Sequence, residues 1–241
     1  MASEKMYLRP PILHEEQSVS MATKILKSSW MGLILTTSVL AHGVQAATFT
    51  EIGDVGQTLT TAAIPTPESV PLITIFGTLS SSTDADLFLI NIIDPVNFSA
   101  TTVNAETSVD TQLFLLNSSG AAVFLNDDDP AGLGSILQST LPTGIGPLTA
   151  GVYYLGISPF GYDPVNLNTL LFATGSSSTA IVGPNISSPL TGFVGNPFST
   201  PGGSYRINLT GVQTVPEPAS VLGLLGMGVW GARRKLKKAK S

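Results

Sequence analysis

The 241-residue chain contains no cysteine, so no disulfide supports its fold and no thiolate can act as a nucleophile or zinc ligand. Histidine is almost as scarce: His14 and His42 both precede Ala47, and every lysine lies either before Trp30 or after Ala232. Between Ala47 and Pro218 the chain carries thirteen acids against one base, Arg206, a net charge near −12. A Ser–His or Cys–His pair cannot be assembled in that stretch. Its charge repels nucleic-acid phosphates and anionic lipid and attracts divalent cations, which excludes nucleic-acid binding. Also missing is the i, i+3, i+4, i+7 recurrence of apolar residues that marks an amphipathic helix. Glycine (24) and proline (17) punctuate the chain instead, together with serine, threonine and asparagine.

What is present reads as strands. Residues 86–92 place Phe88, Ile90 and Ile92 on one face and Leu87, Leu89 and Asn91 on the other, the two-residue period of a sheet largely covered on both sides. Residues 205–210 alternate more cleanly, with Tyr205, Ile207 and Leu209 inward and Arg206, Asn208 and Thr210 towards solvent. Further strands are expected at 73–79, 98–103, 111–117, 122–125, 136–141 and 152–158, separated by turns at Asp94–Pro95, 117–120, 126–130 and 150–151. Residues 47–214 are long enough for one domain with its own core, and many short strands at this spacing indicate an antiparallel β-sandwich. Residues 175–203 read as a long, mobile glycine- and serine-rich loop.

The two ends differ from the middle. Lys24 and Lys27 form a basic n-region, residues 30–40 an apolar h-region, and Val44, Gln45 and Ala46 a small-residue cleavage site before Ala47; residues 1–46 thus read as a signal-peptide region with an N-terminal signal helix. Residues 1–20 fit no part of that signal and read either as sequence upstream of a true start at Met21 or as a longer n-region. At the other end Val215, Pro216, Glu217 and Pro218 precede an apolar segment, 219–232, and a basic tail of Arg233, Arg234, Lys235, Lys237, Lys238 and Lys240. As a short hydrophobic helix, 219–232 would reach about 21 Å at ~1.5 Å per residue, less than the ~30 Å of a bilayer's hydrocarbon core. The basic cluster resists translocation, which leaves everything before Pro216 outside the membrane. The tail, residues 215–241, resembles the bacterial PEP-CTERM sorting signal. That resemblance implies a secreted substrate of an exosortase that reaches the enzyme through the secretion translocon and a signal peptidase, with a transient membrane contact of its C-terminal segment.

The middle carries a second resemblance. The sequences Asp84-Ala85-Asp86-Leu87-Phe88, Asp110-Thr111-Gln112-Leu113-Phe114-Leu115, Asp127-Asp128-Asp129 and Ala150-Gly151-Val152-Tyr153-Tyr154-Leu155 together resemble the bacterial pre-peptidase C-terminal (PPC) domain. This implies a jelly-roll-like β-sandwich that binds polymers, exopolysaccharide being one candidate, or assists secretion. Short carboxylates on bends can converge on a hard cation through oxygen, so Asp84, Asp86, Asp127, Asp128 and Asp129 are candidate calcium ligands, with Asp110 either joining them or capping a turn. The same acids serve equally as exposed turn residues. Tyr153, Tyr154, Phe160 and Tyr162 form a candidate aromatic platform for sugar rings, although alternation puts Tyr153 and Tyr154 on opposite faces and core packing is expected to take at least two of the four.

Three functions remain open on these residues: a non-catalytic secreted surface or matrix protein sorted through its tail and binding extracellular polymer; a carbohydrate-binding or adhesive module kept in the membrane by an uncut tail; and a calcium-dependent hydrolase built on paired carboxylates.

Overall fold

The computed structural model describes residues 45–216 except 105, 134–136, 148, 176 and 196–201. Among the described residues there are fourteen strands and no helix, so none is long and apolar enough to cross a membrane. The helices expected at 30–40 and 219–232 lie outside the described residues. In chain order the strands are β1 (Ala47–Thr50), β2 (Leu72–Leu79), β3 (Asp86–Ile92), β4 (Ser99–Thr101), β5 (Thr111–Asn117), β6 (Ala122–Asn126), β7 (Thr140–Leu141), β8 (Gly151–Pro159), β9 (Asp163–Asn166), β10 (Thr169–Leu170), β11 (Ile181–Val182), β12 (Gly192–Val194), β13 (Gly203–Thr210) and β14 (Val212–Thr214).

They form a five-stranded sheet in the order β1-β2-β13-β4-β7, a six-stranded sheet in the order β11-β6-β5-β8-β3-β14, and a small sheet β10-β9-β12. The two larger sheets share one core. Leu72, Ile75, Tyr205 and Ile207 from the first meet Phe88, Ile90, Leu113, Leu115 and Leu155 from the second, as the inward alternation of β3 and β13 requires. Among the described residues, pairing between the named strands is antiparallel with one exception, and the isolated bridge of Ala63 to Phe88 is parallel too. The short strand β1 runs parallel to β2, with Thr48 opposite Thr74 and Phe49 opposite Ile75, and Phe49 sets its ring edge-on to Phe88 at 5.8 Å. The expectation of a wholly antiparallel sandwich is corrected here. Alternation within a strand says which side chains turn inward, but the direction of an edge strand's partner is set by the length of the connection, here residues 51–71.

The six-stranded sheet is buried on its second face as well. Leu87, Phe114, Leu116 and Leu125 point away from the shared core and pack with Leu171, Phe172 and Leu190 in a separate cluster. Gly156 on β8 makes room there, since a Cβ at that position would sit 2.1 Å from the Phe114 ring. The described residues of segment 175–203 therefore form a cover, where the composition suggests a mobile loop. It contributes β11 and β12, bridges Phe172 to Pro184 and Ala121 to Pro189, and donates the Leu190 N–H to the Gly120 carbonyl at 2.9 Å. Leu190, Val182, Ile186 and Phe193 pack in the outer cluster and Ile181 against the shared core, so a low density of hydrophobic residues still anchors it. Truncating Leu190, which is 6% exposed, to alanine should lower unfolding free energy by about 2–5 kcal/mol in a urea titration; a free loop would give less than about 0.5 kcal/mol.

Candidate functional site

The acids singled out in the sequence separate into two groups. On the shared-core side, Asp86 opens β3 on the same face as Phe88 and Ile90 and is 0% exposed. Its Oδ2 accepts a 2.7 Å hydrogen bond from the Tyr205 hydroxyl, while its Oδ1 has no hydrogen-bond partner. Two residues that sequence reading passed over complete the group. Glu51, just past β1, and Asp54 each bring a carboxylate oxygen within 4.8 Å of Asp86 and of each other. Glu51 is held rigidly, accepting from the Val55 N–H at 2.8 Å and the Thr78 N–H at 2.7 Å. Asp84 adjoins this group through its carboxyl contact with Asp54, and its Oδ2 also accepts the Ser80 N–H at 2.5 Å to close the turn before β3.

On the outer face, Asp110, Asp127 and Asp128 bring carboxylate oxygens within 4.8 Å of one another. Asp127 has a buried Oδ1 without a partner. Asp129 stands in neither group: its Oδ2 accepts the Leu133 N–H at 2.8 Å and caps its own turn. The five candidate ligands thus do not gather into one set. Asp86 faces the core between the sheets, whereas Asp127 lines a cleft with Leu125 and Phe172 on the opposite face.

Both groups raise carboxyl pKa values for the same reasons. Burial, above the neighbouring charges of Glu51, Asp84 and Asp54, pushes Asp86 up to about 8 against the opposing Tyr205 hydrogen bond. Burial and then the charges of Asp128, Asp110 and Asp163 push Asp127 up to about 7, and burial with Asp128 pushes Asp110 up to about 6. Tyr205 is raised by its own burial and by Asp86.

Of the four aromatic residues, Tyr153 is in the shared core and Tyr154 packs on the outer cluster, the opposite-face arrangement alternation predicts. Tyr162 is stacked on Phe193, with centroids 5.2 Å apart and planes at 17°. Phe160 is 51% exposed.

Each end of the described domain adjoins a segment that the sequence reading assigns to processing. Gln45 and Ala46 are exposed, and Ala47 is buried with its N–H bonded to the Pro71 carbonyl at 2.6 Å, so the expected Ala46–Ala47 cleavage bond lies at the domain's edge. At the other end Thr214 is fully buried, donating its N–H to the Val70 carbonyl at 3.0 Å and its hydroxyl to the Pro67 carbonyl at 2.5 Å. Val215 is half-buried and Pro216 exposed. Glu217, Pro218 and the basic tail Arg233, Arg234, Lys235, Lys237 and Lys238 lie outside the described residues.

A folded carboxyl with a raised pKa keeps a proton that the unfolded chain releases, so its stabilisation is complete below about pH 4 and is lost as pH rises through the folded value. For Asp86 that window runs from the ordinary 3.8 to about 8. In chelator-treated buffer the urea midpoint should fall steadily from pH 5 to pH 8. Asp86→Asn, which keeps an acceptor for Tyr205, should reduce that slope, leave the part that Asp127 and Asp110 contribute, and be the more stable form at pH 8.

No curated protein matches this chain. Residues 214–238 match the PEP-CTERM protein-sorting motif, beginning at the last residue of β14. The chain therefore carries a signal for exosortase-dependent export to the envelope or surface of a bacterium.

Proposed function

We propose that this chain is a non-catalytic surface or extracellular-matrix protein, delivered through translocon, signal peptidase and exosortase, whose jelly-roll-like β-sandwich of the PPC kind binds extracellular polymer. The observation that carries this reading is the placement of the sorting motif. It starts at Thr214, the last buried residue of the domain, so the whole described fold lies on the exported side of the cut. The absence of histidine, cysteine and lysine from 47–218 leaves its serines without a base and favours binding over turnover. The two sheets that share one core fit the layered architecture that the PPC resemblance implies.

Calcium belongs to this reading, at Glu51, Asp54 and Asp86 in place of the mixed set the sequence suggested. An anionic oxygen that is buried and unpartnered, beside two further carboxylates within reach, is the donor chemistry a hard cation takes. Bound there, the ion would supply countercharge, and through Glu51 it would tie the segment after β1 to β3.

Two measurements test these statements. The mass of the exported protein should show loss of 1–46 and of the basic tail; an intact tail in the membrane fraction would instead establish the retained adhesive module. At pH 8, calcium at about 100 times its Kd should raise stability by about 2.7 kcal/mol, roughly 5–10 °C in Tm for a domain of this size, and Asp86→Asn should abolish the gain. An equal gain in both proteins would remove Asp86 from the site.

A further inference from the structure

The outer face holds a cleft of about 420 Å³ between the six-stranded sheet and its cover. Its walls are apolar, formed by Leu125, Pro164, Phe172 and Val182, and two carboxylates, Asp127 and Asp163, enter it. Hydrogen-bonding capacity is left over. Asp127 Oδ1 has no partner. Asp163 receives a 3.3 Å bond from Gln112 Nε2, whose amide is shared with the Tyr162 carbonyl at 2.7 Å and the Ser158 hydroxyl at 3.0 Å. No lysine, arginine or histidine is among the residues that line the cleft.

At its mouth stands the half-exposed ring of Phe160, on the turn joining β8 to β9. That turn is braced. The Phe160 N–H bonds to the Asp110 carbonyl and the Tyr162 N–H to the Pro159 carbonyl, both at 3.0 Å. Gly161 takes a left-handed φ of +77°, and Gly195 approaches so closely that a Cβ there would lie 1.9 Å from the Gly161 carbonyl. The neighbouring Tyr162 is occupied by Phe193. Phe160 is thus a fixed, solvent-facing aromatic surface beside the carboxylates of Asp127 and Asp163 that line the cleft.

A complementary ligand brings hydrogen-bond donors, one flat apolar face and no negative charge. A metal ion would use the carboxylates and leave the ring and the apolar walls without a role. An anionic polymer would meet Asp110, Asp127, Asp128 and Asp163 without a countercharge. A pyranose ring has the required pair of surfaces, hydroxyl donors on its edge and C–H groups on its face, and its size suits the space. We infer that this cleft is a subsite for a neutral sugar unit of a polysaccharide, with Phe160 stacking on the ring and Asp127 and Asp163 accepting its hydroxyl protons. The inference rests on the polymer-binding reading and gives that polymer its chemical class and place.

The only tryptophans, Trp30 and Trp230, flank the domain, so Phe160→Trp in the exported, processed protein places a single fluorophore at the cleft. Titrated with neutral hexasaccharides of glucose, mannose, galactose and xylose, its emission should shift to the blue and saturate with at least one of them. Retention on the matching polysaccharide should weaken tenfold or more in Phe160→Ala and in Asp127→Leu. Urea midpoints confirm that both variants fold; neither should lose stability, since one truncates an exposed ring and the other removes a crowded charge. Polymer retention by the native protein that survives both substitutions would overturn the cleft and leave polymer binding standing. Equal response to oligogalacturonate would overturn the neutral-ligand assignment. No retention of any polysaccharide by the native protein would end the polymer reading and the subsite with it.

Discussion

The six-stranded sheet has to be covered on both faces, and the rest of the molecule follows from that requirement. β3 and β5 carry apolar residues at successive positions: Leu87 and Phe88, and the run from Leu113 to Leu116, are all fully buried. One partner sheet can hide only alternate residues, so a second layer is obligatory. The five-stranded sheet takes the Phe88 side, and the chain between β8 and β13 takes the Phe114 side, where Phe172 and Phe193 lie 6.2 and 5.9 Å from the Phe114 ring. Each layer also shapes one acidic group. The inner contact brings Tyr205 over Asp86, and the outer one walls Asp127 into the cleft.

Charge is the second constraint. With thirteen acids and a single arginine in 47–218, carboxylates cannot be neutralised by pairing. Arg206 serves Glu106 alone as an ion-pair partner among the described residues, at 3.0 Å, while its guanidinium also lies over the Phe76 ring. The remaining acids are satisfied in other ways. Glu51, Asp84 and Asp129 accept backbone N–H groups, and Asp94 accepts from Asn97. Asp86 and Asp127 are the two whose buried oxygens are left over. Both surplus oxygens are buried, that of Asp86 between the sheets and that of Asp127 in a side chain that also lines the outer cleft.

The sequence was most legible in strands of seven or eight residues, long enough to show a period. β3 and β5 were read residue for residue, and the inward set Tyr205, Ile207 and Leu209 of β13 lies in the core as alternation requires. β9 to β12 were missed because strands of two to four residues, broken by glycine, proline and serine, show no period to count, and their pairing is decided by a sheet surface formed far away in sequence. The candidate site failed differently. The residue types were right, but convergence depends on where turns lie in space. Glu51 and Asp54 sit more than thirty positions from Asp86, at the end of a parallel edge strand that no local pattern announces. Phe160 differs from Tyr153, Tyr154 and Tyr162 in being half exposed, which belongs to the fold and is absent from the sequence.

One short stretch, residues 67–71, ties the two ends of the domain together. Pro71 holds the N–H of Ala47, the first residue after the expected signal cleavage, while Val70 and Pro67 hold Thr214, the last residue before the sorting motif. The leader and the tail therefore join the domain side by side, at a corner formed by β1 and β14. In the six-stranded sheet β14 is at one edge, and the cleft is built on β5 and β6 towards the other. Three to four strand spacings separate them, roughly 14–19 Å. The points where leader and tail attach thus lie away from the cleft, and on the proposed reading sugar binding and sorting use separate edges of the same sheet.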